Sequence, residues 1–169
     1  MPLPDLLAHN LNVVFVGTAV TSSSEAASAY YATHGNRFYE ILHAVGITQN
    51  LVEPQNYRNL LHEGIGLTDL VKTRVALDNN LELEDFDING FNQKMEEFTP
   101  RIICFNGKLA ASHFLLGKKK TSIVNYGLQA QEEGSQISVF VAPSTSRTAN
   151  KFWNPFFYEQ LAELINNLP

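Results

Sequence analysis

The sequence predicts an α/β fold, three layers deep, with helices on both faces of a central, mostly parallel four-stranded sheet (α/β/α). Two observations predict it. Val13–Val16 is a continuous apolar run, which marks a strand covered on both faces rather than one half exposed to water. Three further short strands follow, each separated from the next by segments whose apolar residues recur at helical spacing. Strands alternating with helices imply a parallel sheet joined by right-handed crossovers.

The elements follow in order. After Val13–Val16 comes a long loop, from Gly17 to Gly35, rich in small hydroxyl and alanine residues. It is too long for a bare connector, which points to a functional role. Asn36 can cap a helix with Phe38, Ile41, Leu42 and Val45 on one face, ended by Gly46. A short helix is expected over Gln55–Glu63, stopped by Gly64. Gly64–Val71 then gives a strand with Thr68 and Asp69 at its end, and Lys72–Glu84 reads as loop. Asp87 caps a helix carrying Ile88, Phe91, Met95 and Phe98, and Pro100 stops it. Ile102–Phe105 is the third strand, and Asn106-Gly107-Lys108 opens the next helix, which carries Leu109, His113 and Leu116. Ile137–Val141 is the last strand and runs into APSTSRTAN. Asn154 and Pro155 open the C-terminal helix, with Phe157, Leu161, Leu164 and Ile165 inward.

Residues 1–169 read as one domain, long enough to bury a core. The single cysteine, Cys104, excludes a disulfide within the chain and a cysteine-ligated iron–sulfur cluster. No apolar run approaches the ~20 residues of a membrane span, and the first ten residues lack the basic region of a signal peptide, so a cytoplasmic protein is expected. A net charge of −5 argues against broad nonspecific nucleic-acid binding but leaves room for a local basic patch. The five histidines do not have metal-ligand spacing, and neither a P-loop nor a Gly-x-Gly-x-x-Gly turn follows the first strand. In a parallel sheet the strand ends point one way, so GTAVTSSS, LTDL and PSTSR should converge on a ligand site.

These segments, in this order, resemble the uracil-DNA glycosylase superfamily, most closely its mismatch-specific uracil and thymine branch. VVFVGTAVTSS stands where that family has a strand ending in Gly-x-Asn-Pro-Gly. YYATHGNRFYEIL resembles the loop and helix bearing its base-stacking aromatic, and GIGLTDLV its second strand-end motif. PRIICFNGK resembles its third strand and Gly-Lys turn, and VAPSTSRTAN the motif that enters the minor groove. The PSTS segment is also similar to the hypoxanthine-DNA glycosylase branch.

The resemblance implies a repair enzyme, a monofunctional glycosylase that flips a damaged base and hydrolyses its N-glycosidic bond, leaving an abasic site. Uracil is the expected base, G·U mispairs included, with hypoxanthine as an alternative. It implies no cofactor, no metal, and DNA (duplex or single strand) as the partner of a monomer that associates with the nucleoid when acting. Tyr31 is the implied aromatic wall and Asp69 the polar group beside the base. Gly17 and Thr18 would bring backbone N–H groups to the departing base anion. Ser144, Thr145, Ser146, Arg147 and Lys108 are the implied DNA contacts. The pattern departs from the family at its catalytic position: Ala19 stands where relatives carry an Asn that positions water, and Ala142 stands before Pro143. Asn36 is the preferred substitute for the missing amide. The departure opens a second reading, a weak or inactive binder of damaged DNA.

Overall fold

The computed structural model describes residues 1–169. Five strands form one sheet in the order β2-β1-β3-β5-β4. They are β1 (Val13–Gly17), β2 (Ile65–Asp69), β3 (Ile102–Asn106), β4 (Gly127–Leu128) and β5 (Ser138–Ala142). All pairs are parallel except the edge pair β4–β5. The sheet therefore has one strand more than the four expected. β4 is two residues long and exists through its pairing with β5, so it has no periodicity of its own to read.

The helices are α1 (Ser22–Ala27), α2 (Phe38–Ala44), α3 (Ile88–Phe98), α4 (Lys108–Leu116) and α5 (Phe156–Asn166). α1 lies inside the segment expected to be loop. Its apolar signal is weak, but Thr21 caps it by accepting the Ser24 N–H, and the Ser24 hydroxyl accepts the N–H of Ala32 at 3.1 Å. The helix expected over Gln55–Glu63 is a kinked 3-10 segment, Pro54–Glu63, that turns at Asn56 and stops at Gly64. α3 is capped by Asp87 as its sequence requires.

Alternate residues of each parallel strand bury into two cores. On one face Val13, Phe15, Leu67, Cys104 and Phe140 pack with α2 and α5. On the other Val14, Val16, Ile103, Phe105 and Val141 pack with α3 and α4. Burial on both faces is why β1 carries an unbroken apolar run. The N-terminal segment lies along the free edge of β2, where Leu6 and Leu67 exchange two backbone hydrogen bonds of 2.9 and 2.8 Å. No helix is long and apolar enough to cross a membrane.

Candidate active site at the strand ends

β1 and β2 run side by side, with Gly17 opposite Asp69. The ladder continues past both strand ends, since Leu70 donates to Gly17 O (3.0 Å) and Val71 to Thr18 O (2.8 Å). This fixes the start of the long loop and holds Asp69 over the β1 backbone. A methyl group at Gly17 would lie 2.6 Å from Asp69 Oδ1 and 3.4 Å from Tyr31 Oη. Glycine is therefore required here for close approach: two polar side chains rest on its Cα.

Tyr31 reaches this point in a left-handed backbone conformation, φ +53°, uncommon for a bulky residue. Its ring stacks on Phe38 at 4.1 Å between centroids, and Phe38 meets Phe15 of β1 edge-on. The neighbouring Tyr30 points elsewhere, into the core, where its hydroxyl donates to Pro4 O. The loop is closed by Thr21 and Thr33, whose hydroxyls are 3.0 Å apart, and by the Tyr39 hydroxyl, which donates to Tyr30 O. Strain at Tyr31 is thus held by contacts on both sides of it.

Tyr31 Oη and Asp69 Oδ2 are both buried and neither has a hydrogen-bond partner. Such groups are rare in folded proteins and mark strain or a ligand's place. Burial pushes the Asp69 carboxyl up to about 7; the Lys72 ammonium pulls it down and the Asp5 carboxylate adds to the rise. Near neutral pH the group therefore holds a proton about half the time. Burial and the Asp69 charge also push the Tyr31 phenol well above its ordinary range, so it stays a neutral donor. Beside Asp69, Asp5 accepts hydrogen bonds from Thr68 and Lys94, both at 2.6 Å, and pairs with Lys72 at 2.9 Å. Burial would raise Asp5, but these partners outweigh it and hold it below the ordinary carboxylate range.

Asn106, at the end of β3, was not singled out from sequence as a site residue. Its amide accepts from Thr145 N and donates to Thr145 Oγ1, both at 2.9 Å, which locks the last motif onto the third strand. It also faces the Tyr31 phenol and would ease its ionisation, though the hydroxyl has no bond with it in this structure. Its position at a strand end, as for Asp69, is the signal that sequence reasoning had available.

The remaining expected residues divide. Thr145 is buried and its hydroxyl is taken by Asn106, so its side chain serves the frame and is not turned to a phosphate. The Asn36 side-chain oxygen accepts the Phe38 N–H at 3.0 Å and caps α2, an engagement that competes with any work on water. The Thr18 hydroxyl donates to Asp78 at 2.5 Å. Ala19 is partly exposed, and Ala142 is buried in β5 opposite Asn106. The Lys108 ammonium lies 4.3 Å from the Tyr126 ring centroid. Ser144 and Ser146 hydroxyls accept from backbone N–H groups two residues on.

The last motif meets the first loop directly. Gly35, at φ +82°, has Arg147 packed on it so closely that a methyl group there would lie 2.8 Å from Arg147 Cδ. Arg37 donates its backbone N–H to Thr145 O at 2.9 Å, its guanidinium binds Asn150, and it lies 4.9 Å from the Trp153 ring centroid. Arg147 is exposed at the rim. No three His, Cys, Asp or Glu side chains gather in a way that could hold a metal ion.

A pair of buried, unpartnered polar groups thus rests on a glycine at the ends of parallel strands, with the serines of the last motif and the exposed Arg147 on the neighbouring loop. The family model of the uracil DNA glycosylase superfamily matches residues 4–168, so the chain belongs to that superfamily. It is a DNA glycosylase, a hydrolase of base excision repair. Its fold is similar to the solution NMR structure of a "putative Uracil DNA glycosylase" from Methanosarcina acetivorans. The TM-score is 0.64 at 24% identity, over 98% of this chain and 96% of that one.

Proposed function

We propose that this glycosylase removes uracil from DNA, G·U mispairs included, in the manner of the mismatch-specific branch. The observation that carries the reading is the pair of unpartnered polar groups, Tyr31 Oη and Asp69 Oδ2, resting on Gly17. A base must leave the helix stack before chemistry can reach it. A flipped pyrimidine supplies the partners that both groups lack. When protonated, Asp69 donates its O–H to a ring carbonyl and accepts the ring N–H on its other oxygen, as an amide does.

In the reaction the C1′–N1 bond breaks and its electron pair leaves with the base. Water oxygen bonds to C1′, and the water proton ends on the departing base. Neutral Asp69 and the backbone N–H groups after Gly17 stabilise the anion as it forms. Ala19 contributes nothing to water activation. Positioned acid–base help is typically worth ~10²–10⁴ in rate, so a slow enzyme is expected rather than a dead one. Ser144, Ser146, Arg147 and Lys108 hold phosphates of the opened strand. The enzyme works as a monomer with no cofactor.

Ala19 and Ala142 favour a second reading, a damage-binding protein without turnover. The test is incubation at enzyme excess with DNA holding a single uracil, thymine or hypoxanthine, followed by alkaline cleavage of abasic sites. A break at uracil supports the proposal. Tight binding without any break, with activity appearing in Ala19→Asn, supports the second reading.

A further inference from the structure

Lys72 follows the end of β2, just after the two residues whose N–H groups bond to Gly17 and Thr18. Its side chain is largely buried, and its ammonium has three partners: Leu3 O at 2.7 Å, Asp5 Oδ1 at 2.9 Å and Tyr30 Oη at 3.2 Å. An ammonium has three N–H donors, so this set engages all of them. The Tyr30 phenol is filled as well, accepting from Lys72 and donating to Pro4 O at 3.1 Å. Asp5 in turn is held by Thr68 of β2 and Lys94 of α3. Leu3, Pro4 and Asp5 belong to the N-terminal segment, which the Leu6–Leu67 bridge pins to β2. Lys72 therefore joins three places distant in sequence: the end of β2, the N-terminal segment and Tyr30. An apolar side chain could fill the same space without the desolvation that a buried ammonium suffers. What the ammonium adds is the tie to Tyr30.

Tyr30 is the residue before Tyr31, whose backbone is left-handed. Such a conformation in a bulky residue persists only where its neighbours over-determine it. On the far side the anchor is Ala32, whose N–H donates to Ser24 Oγ. On the near side it is the Tyr30 side chain, with its ring edge-on to Tyr57 at 5.5 Å and its phenol held by Lys72 and Pro4. We propose that Lys72 is a positioning residue for excision: by tying Tyr30 to Asp5 and the N-terminal segment, it holds the Tyr31 ring in place over Gly17. Lys72 touches neither the base nor the water and acts through Tyr30. The inference rests on the reading that the flipped base lies against Tyr31 and Asp69.

The test is single-turnover excision, with the maximal rate separated from the enzyme concentration at half-saturation, joined to amide hydrogen exchange of residues 29–33 in the free protein. Lys72→Met should lower the maximal rate about tenfold, less than a 1 Å misplacement at a reacting centre can cost, and should speed exchange of that segment about tenfold. Half-saturation should stay nearly unchanged, because phosphate contacts made by another loop dominate binding. Lys94→Met is the control: Lys94 shares Asp5 but has no contact with Tyr30, so rate and exchange should stay close to wild type. Tyr30→Phe keeps the ring and removes only the phenol. It should repeat both changes, and it decides the question if Lys72→Met does not fold. A wild-type rate in Tyr30→Phe, or equal slowing by Lys94→Met and Lys72→Met, would overturn the inference. So would faster exchange with an unchanged maximal rate. Rates are compared on whichever of uracil, thymine and hypoxanthine the wild type releases. Release of thymine or hypoxanthine but not uracil removes the uracil reading, and the inference is then decided on that base. Uracil excision at one rate in all these variants removes the inference and leaves the uracil reading.

Discussion

Asp69→Asn should stabilise the protein, and by an amount that grows with pH. Asp69 is held at about 7 against an ordinary 3.8, chiefly by burial. Between those values the folded protein keeps a proton that the unfolded chain has released. Stability therefore falls as pH rises through this window, and the loss is complete above pH 7. At about 1.4 kcal/mol for each tenfold change in proton affinity, ionised Asp69 costs the fold about 4 kcal/mol at pH 8. Asparagine has nearly the same shape and does not titrate. Urea unfolding of both proteins across pH 4 to 8 should show the variant's advantage rising by a few kcal/mol, most of it between pH 4 and 7. The comparison cancels every other titrating group. A difference that stays flat, within about 0.5 kcal/mol, would refute the argument that Asp69 is buried without a compensating partner.

Gly17→Ala should leave the fold intact at a cost of about 1–3 kcal/mol and cut single-turnover excision by more than tenfold, because the new methyl meets Asp69 Oδ1 at 2.6 Å. Unchanged excision would show that the carboxyl need not rest there. Tyr31→Phe removes a buried hydroxyl with no partner, so thermal unfolding should show unchanged stability or a gain of about 1 kcal/mol. A loss of that size would mean the hydroxyl is satisfied in solution. Arg147→Ala should weaken DNA binding at all sequences and lower the slope of log affinity against log salt by about 1. A titration series with an unaltered slope would remove Arg147 from the phosphate contacts.

The frame was legible where a residue type answers a local physical demand. β1 is an unbroken apolar run because it is buried on both faces, and Asp87 caps α3 because a helix start needs an acceptor. α1 and β4 were not legible, since contacts distant in sequence make them: Ser24 with Ala32 for the first, pairing with β5 for the second. The site was half legible. Gly17, Tyr31 and Asp69 could be named, and the structure brings those three together. The protonation of Asp69 could not be read, because it depends on burial by residues far along the chain. Thr145 misled for a similar reason: a serine–threonine loop reads as a phosphate cradle until Asn106 takes the hydroxyl.

The most direct measurement is single-turnover excision of uracil from DNA as a function of pH, at enzyme excess. If neutral Asp69 recognises and stabilises the departing base, the rate should be high at pH 6 and fall through an ionisation near 7, with the fall absent in Asp69→Asn. A wild-type rate that is flat or rising from pH 6 to 8.5, or no alkali-labile break at any pH, would contradict the account.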